Sequence, residues 1–540
     1  MQEEILLPAN RDWSAPENLR LTSALGPPVV PGLPGHAGRQ APQVFVISYR
    51  TARVSCGALR PGESGPTKGG HSIRYLLNED VGLRSWRRVP FAYYRRSERN
   101  ARRISKETFE LLLRCDGIRE ISDEAPIASL VTRGLCHPAG AGERLTDWQR
   151  YRSYDNDYFP ALNWMLTGKC NLNCLHCFNA ADNARLQSEF QPAEAMRLID
   201  EAAACGIHAF TLTGGEPMFH RDFMRIFQRI YERDMFVEEL NTNGTFITRE
   251  MLREMRAMGA APRFKISFDG AGCHDWLRNQ RGAEQSALRA FEMCLEEGFE
   301  VMAQTNVHRL NADAMLPTAR LLSGMGASGM RIIRTSEAPR WVQNAGGAGL
   351  SWSEYYDRML AFLGAYVQTG CTMNVNIWQM AAVCPASRRY RPAAVGCDAR
   401  EYRDSLPVCR CNRGLVAVAA DGNLYPCLQV SGYYVKCGRF LGNVKAEGLR
   451  THLQQGAYLS EVQTTLKQLK EHNRQCADCP WFRLCCGGCR ACAVTLTGDR
   501  FGVDPSKCIF FQHGYLEKLA DALKGYECII RLPAVSDART

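Results

Sequence analysis

Cys170-Asn-Leu-Asn-Cys174-Leu-His-Cys177 sets three thiols within eight residues, with no fourth cysteine near them. Three thiolates cannot satisfy a four-iron cage. A cluster held this way keeps one iron open, and an open iron can chelate the amino and carboxylate groups of a small ligand. A structural zinc completed by a distant residue would use the same sulfurs, so the string alone leaves two readings. Thr213-Gly214-Gly215-Glu216-Pro217 adds two glycines that let backbone approach a ligand, and a carboxylate able to pair with an ammonium group. Lys265-Ile-Ser267-Phe-Asp269-Gly270 adds a hydroxyl and a second carboxylate able to bind ribose hydroxyls, with His274-Asp275-Trp-Leu-Arg278 just beyond. Asn243, in Asn-Thr-Asn-Gly, belongs to the same set, although its plainer reading is a turn asparagine.

A second array follows. Cys411 is separated by ten residues from Gly422 and Gly422 by four from Cys427; Cys476-x2-Cys479-x5-Cys485-x3-Cys489 and Cys508 complete it. The chain has 24 cysteines, and its first residues, MQEEILLPANRDW, lack a basic-then-apolar export signal. The expected compartment is the cytoplasm, where disulfides are disfavoured, so such spacing argues for metal ligation. Cys486 and Cys492 fall off the spacing and read as packed thiols.

These residues need elements to position them. From Leu162 onward the sequence alternates strand and helix patterns: ALNWML, PAEAMRLIDEAAACG, HAFTLT, RDFMRIFQRIYERD, FVEEL, REMLREMRAMG, RFKISF, AEQSALRAFEMCLEEG, EVMAQTNV, ADAMLPTARLLSGM, GMRIIRT and SWSEYYDRMLAFLGAYV. Six βα pairs predict an α/β fold with an open, partial barrel. Each motif then lies just after a strand, at the C-terminal mouth where such folds place active sites.

In this order on successive βα units, the three motifs resemble the radical S-adenosylmethionine (radical SAM) superfamily over about residues 160 to 350. The resemblance implies a partial (β/α)6 TIM-like barrel. Cys170, Cys174 and Cys177 would hold a 4Fe-4S cluster; Gly214, Gly215 and Glu216 would contact the methionyl amine, Ser267 and Asp269 the ribose or carboxylate, and Arg278 the carboxylate. Residues 395 to 515 resemble the SPASM domain, which carries two auxiliary 4Fe-4S clusters. Its connectivity implies that Cys476, Cys479, Cys485 and Cys508 hold one cluster and that Cys411, Cys427 and Cys489 share the other with one further cysteine. Cys409 is favoured for that place, with Cys397 and then Cys384 as alternatives. Four-cysteine ligation would favour electron transfer, whereas an open auxiliary site could bind a substrate thiolate.

Before the barrel, residues 1–42 are rich in proline and glycine and read as a flexible arm, and residues 43–145 as a small mixed domain in which Ser105 caps a helix. That domain resembles the winged-helix RiPP recognition element, which implies a leader peptide bound as an added strand on a sheet edge. The barrel is expected over 155–370, the SPASM region over 371–525 and a tail over 526–540. The formal charge is +10, and residues 84–103 carry eight arginines against one glutamate with aromatics interleaved. This segment reads as a basic face for an acidic peptide, for nucleic acid, or for solvent alone. Fusion to SPASM chemistry argues for peptide and against nucleic acid. No run of 18 apolar residues indicates a membrane span.

The expected function is reductive cleavage of S-adenosylmethionine and radical modification of a ribosomally synthesised precursor peptide, by thioether or carbon–carbon crosslink or by epimerisation. A flavodoxin- or ferredoxin-like protein would donate electrons. A sulfatase-type maturase is the neighbouring alternative, although Leu428 follows Cys427 where that group carries aspartate. A non-catalytic iron–sulfur electron carrier or peptide-binding protein is the alternative of another class.

Overall fold

A computed structural model describes residues 73–121, 124–179, 187–398, 401–409 and 414–530. The expected arm at 1–42, the start of the amino-terminal domain and Cys411 lie outside the described residues.

The first domain contains β1 (Ile73–Leu77), β2 (Val81–Trp86), β3 (Val89–Arg95), β4 (Arg102–Arg103), α1 (Lys106–Leu113), β5 (Asp116–Ile121), α2 (Glu124–Thr132), β6 (Cys136–Pro138) and β7 (Arg152–Ser153). Ser105 caps α1 as its sequence predicts, its hydroxyl accepting from the Thr108 amide at 3.2 Å. Two small sheets form, in strand orders β5-β1-β6 and β4-β3-β2-β7. The domain therefore runs past residue 145, because β7 pairs in parallel with β2.

Seven of the eight arginines at 84–103 have partners, and Arg103 stands exposed in β4. Arg84 is enclosed and donates to the Trp148 and Arg150 carbonyls. Arg87 and Arg88 pair with Asp157, Arg95 with Asp80, Arg96 with Asp234, Arg99 with Glu238 and Arg102 with Glu98. The segment fastens this domain to the next. Trp86, 2% exposed, donates to the Cys205 carbonyl at 3.1 Å and stacks on Tyr154. Asp157 also accepts from Gln463, so one buried carboxylate joins three parts of the chain.

The barrel strands are β8 (Ala161–Thr167), β9 (Ala209–Gly214), β10 (Phe236–Thr242), β11 (Arg263–Ser267), β12 (Val301–Val307) and β13 (Gly329–Arg334), all parallel to their neighbours. Helices α3 (Pro192–Ala204), α4 (Phe223–Glu232), α5 (Arg249–Ala257), α6 (His274–Arg278), α7 (Ala283–Glu296), α8 (Met315–Met325), α9 (Pro339–Asn344) and α10 (Trp352–Tyr366) alternate with them. Leu162, Trp164, Phe210, Leu212, Phe264, Ile266, Ala303, Met330 and Ile332 pack with helix residues in one core.

The sheet does not stop at residue 371. An open six-stranded arc has two unpaired edges, and the C-terminal region covers both. Next to β13 lies the parallel strand β14 (Asn374–Ile377), followed by the antiparallel β15 (Ala381–Cys384) and β16 (Arg389–Pro392). On the other side, β17 (Val416–Val418) pairs in parallel with β8 and carries β18 (Leu424–Tyr425). Two helices, α11 (Pro505–Gln512) and α12 (Tyr515–Ala522), pack on α10, with the Tyr356 hydroxyl donating to the Ser506 carbonyl at 3.1 Å. The expected tail at 526 begins as a strand instead, β19 (Glu527–Cys528), paired with β16.

Candidate active site

The cysteine loop leaves β8 and is held against the loop leaving β9. Gly215 donates to the Thr167 carbonyl at 2.7 Å and Glu216 to the Lys169 carbonyl at 2.9 Å. A Cβ on Gly214 would stand 2.2 Å from the Thr167 oxygen, and one on Gly215 2.1 Å from the Lys169 oxygen. The glycines are thus required where two backbones meet.

Glu216 is fully enclosed. Its carboxylate accepts from the Thr242 hydroxyl at 2.8 Å and the Asn243 amide at 2.7 Å, tying the end of β9 to that of β10. Burial pushes its pKa up to about 7 against these hydrogen bonds. Asp269 is likewise enclosed: it accepts from Arg278 at 2.7 Å and from the Asn306 amide at 2.9 Å, and lies 3.1 Å from His274 Nδ1. Burial opposes its ionisation, but Arg278 and His274 outweigh it and hold the carboxyl well below the usual range. Both acids are built into the frame of the site, with their oxygens occupied. Ser267 stands half-buried at the end of β11.

Arg278 carries this frame to the thiols. Its Nη1 is 3.9 Å from Cys174 Sγ, and its Nη2 is buried without an acceptor. Leu172 donates its amide to Cys170 Sγ at 3.4 Å and Asn243 its side-chain amide at 3.8 Å. Burial pushes the Cys170 thiol up to about 12, with Glu216, Cys174 and Cys177 adding to the rise. Cys174 is buried and Cys170 and Cys177 half-buried, and the three thiols lie within one another's electrostatic reach, which a cation would relieve. His176 Nε2 meets the Asn306 side chain at 3.1 Å, while its Nδ1 is buried without a partner; burial pulls this imidazole down to about 3, so it is neutral. Arg340 donates to the Asn173 carbonyl at 3.0 Å and keeps a buried Nε without an acceptor. Three close-set thiols, unspent donors on Arg278 and Arg340 and an unspent nitrogen on His176 fit a cluster with a polar, carboxylate-bearing ligand.

His176, Asn306 and Arg340 lie outside the roles that the sequence motifs imply, and Asn243 has a plainer sequence reading as a turn asparagine. The Asn-Thr-Asn-Gly string at a strand end and the histidine inside the cysteine loop were the available signals.

Of the second array, four cysteines come together. Cys476, Cys479, Cys485 and Cys508 line one cavity of about 160 Å³ with Asp504 and Lys507. Among the described residues, no three His, Cys, Asp or Glu side chains converge on a single-ion position. Sulfurs ringing a volume could hold a cage, whereas a lone zinc needs them at one point. Asp504 accepts from the Cys489 amide at 2.7 Å and so fixes that loop. Cys492 is buried beside Cys489, whose thiol it pulls down in pKa against burial. Cys397 and Cys486 lie 3.3 Å apart, sulfur to sulfur, both buried. Cys384 ends β15 opposite Arg389, while Cys409 and Cys427 are half-buried.

Residues 164–322 match the family model described as Radical SAM superfamily. The AdoMet-dependent heme synthase of Methanosarcina barkeri is 26% identical over 354 residues, 64% of this chain and 95% of that protein. The PqqA peptide cyclase of Granulibacter bethesdensis is 23% identical over 360 residues, 66% of this chain and 89% of that one. The solved structure of Streptococcus suis SuiB bound to precursor peptide SuiA shares the fold, with a TM-score of 0.57 at 12% identity, covering 80% of this chain and 99% of SuiB.

Proposed function

The chain is an enzyme that carries a radical SAM domain, and from this premise we propose that it cleaves S-adenosylmethionine reductively and modifies a ribosomally synthesised precursor peptide. The modification is a thioether or carbon–carbon crosslink, or an epimerisation. The observation that carries the peptide reading is the docked amino-terminal domain. The heme synthase is matched over 95% of its length by 64% of this chain, which leaves more than a third of the chain without a counterpart there. SuiB, a structure with a precursor peptide bound, shares its fold with 80% of this chain. In the added domain β5 ends its sheet, with Ile118 exposed at 57% beside Arg119 and Glu120. A leader peptide adding there would gain backbone hydrogen bonds and an apolar contact.

Cys170, Cys174 and Cys177 would hold the 4Fe-4S cluster that, when bound, supplies one electron to cleave the sulfonium and yield a 5'-deoxyadenosyl radical. Arg278 and Arg340 offer donors for the methionyl carboxylate, and the neutral His176, whose Nε2 accepts from the Asn306 side-chain amide, can donate from its unspent Nδ1. Asp269 and Glu216 act through others, one by orienting Arg278 and the other by locking β10 to the glycine turn. Cys476, Cys479, Cys485 and Cys508 would hold one auxiliary cluster. Cys409, Cys411, Cys427 and Cys489 would hold the second, and both would pass electrons to or from a flavodoxin- or ferredoxin-like partner.

The test is anaerobic co-expression with any short peptide encoded beside the gene, using the wild-type chain and Cys174→Ala. A loss of about 2 Da per crosslink, absent with the variant, is expected. Co-purification at unchanged mass selects epimerisation. A peptide neither bound nor changed removes the peptide reading. The heme synthase identity favours a tetrapyrrole as second reading, and mass change of an added porphyrin in the same extract would select it.

A further inference from the structure

Alternation along the barrel strands sorts their side chains. Phe264, Ile266, Ala303, Met330 and Ile332 pack outward with the helices, so Lys265, Ser267, Gln304, Asn306 and Arg331 face the lumen. The pairing register sets Ser267 beside Gln304, Gln304 beside Arg331 and Arg331 beside Asn376, one row across four strands. One row higher, Asn306 reaches His176 in the cysteine loop at 3.1 Å. Arg331 therefore sits two residues, about 7 Å, beneath the loop that carries the three thiols.

The lumen charges at this level do not balance. Lys265, 6% exposed, donates to Glu239, and this pair satisfies itself. Burial lowers the Lys265 pKa, Glu239 raises it and Arg331 lowers it again, which places the two cations within each other's field. Arg331 has no such partner: its Nε is buried without an acceptor, and among the described residues no carboxylate forms an ion pair with it. The half-buried guanidinium thus keeps a fork that a bidentate acceptor could take. Gln304 and Ser267 in the same row add neutral hydrogen-bonding groups beside it.

We propose that Arg331 receives a carboxylate of the substrate and so sets which part of it lies under the radical source. The inference rests on the radical SAM reading and narrows its substrate to one bearing a carboxylate near the reacting carbon. The carboxylate comes from a peptide side chain or from a small polycarboxylate; the guanidinium fork suits both.

Phenylglyoxal labelling of the reconstituted holoenzyme with S-adenosylmethionine, mapped by peptide mass spectrometry, reads the site directly. The probes are glutarate and a blocked pentapeptide with glutamate between glycines, each against its amide counterpart. Labelling of Arg331 is expected to slow at least about tenfold with a carboxylate probe and not with the amides. Protection by the peptide alone assigns a peptide side chain; protection by glutarate alone assigns a small acid. Absence of protection, or equal protection by the amides, overturns the proposal. Titration of the protecting probe gives a second measure: its Kd rises about tenfold or more in Arg331→Gln and less in Arg331→Lys, and an unchanged Kd in Arg331→Gln overturns it as well. Cleavage of S-adenosylmethionine by the wild-type enzyme with dithionite tests the radical reading separately. An enzyme that cleaves it yet leaves Arg331 unprotected loses this inference alone.

Discussion

Glu216 shows how a residue can be named from sequence and its role still be hidden. The string Gly-Gly-Glu-Pro points to a carboxylate at the site, but only packing reveals that both oxygens are bound to the end of β10. The pH consequence follows from burial. With a folded pKa near 7 against an ordinary 4.5, the folded chain binds more protons than the unfolded one between those values, so stability falls as pH rises through that window. The full cost is about 3 kcal/mol. Denaturant melts of the apo chain at pH 5 and 8 should show this loss in the wild type and a much smaller one in Glu216→Gln. Equal losses would mean that Glu216 is not the group responsible. Gly215 carries a sharper expectation. A methyl 2.1 Å from the Lys169 oxygen must separate the two loops, so Gly215→Ala should cost on the order of 3 to 5 kcal/mol and abolish iron retention by the first cluster site. Normal iron content in that variant would show that the loops are not rigidly coupled. Cysteine spacing was legible because ligation demands it at short range; the hold of Arg278 and Asn306 on the cysteine loop was not, because Cys174 and His176 lie more than a hundred residues before them in the chain.

At the scale of elements, the βα alternation was readable strand by strand, since every barrel strand carries apolar residues on its helix-facing side. Edge strands were not. β14 and β17 are four and three residues long, too short for a period to register, and they are recruited because the barrel leaves its edges unpaired. The arginine-rich segment misled for a related reason: charge density is visible in sequence, whereas Asp157, Asp234 and Glu238 as partners are not. Exposed ion pairs add little each, so the docking should rest mainly on Trp86, wedged against Gly206 and stacked on Tyr154. Trp86→Ala should cost about 3 to 5 kcal/mol locally. Hydrogen exchange checks this: residues 73–153 should lose protection while β8 to β13 keep theirs. Loss across the whole chain would show that the domain and barrel unfold as one unit.

Across the whole molecule, the C-terminal region both seals the sheet and carries the second set of cysteines, so barrel closure and these thiols share one scaffold. Lys507 stands where these functions meet. It is 4% exposed, lines the cavity ringed by Cys476, Cys479, Cys485 and Cys508, and donates to the Ala393 carbonyl at 3.2 Å. Burial lowers its pKa, while Asp504, Cys485, Cys489 and Cys492 raise it, so its charge faces thiols from both auxiliary sets. A fixed cation favours the more negative, reduced state of any cluster these thiols hold. Lys507→Met keeps the volume of the stem and removes the charge, and should move the midpoint of an auxiliary cluster to more negative potential with iron content unchanged. Redox titration followed by electron paramagnetic resonance reads that shift. A midpoint that stays in place at full iron content would assign Lys507 to packing alone and leave Asp504, through its hold on the Cys489 loop, as the group that couples the two sets.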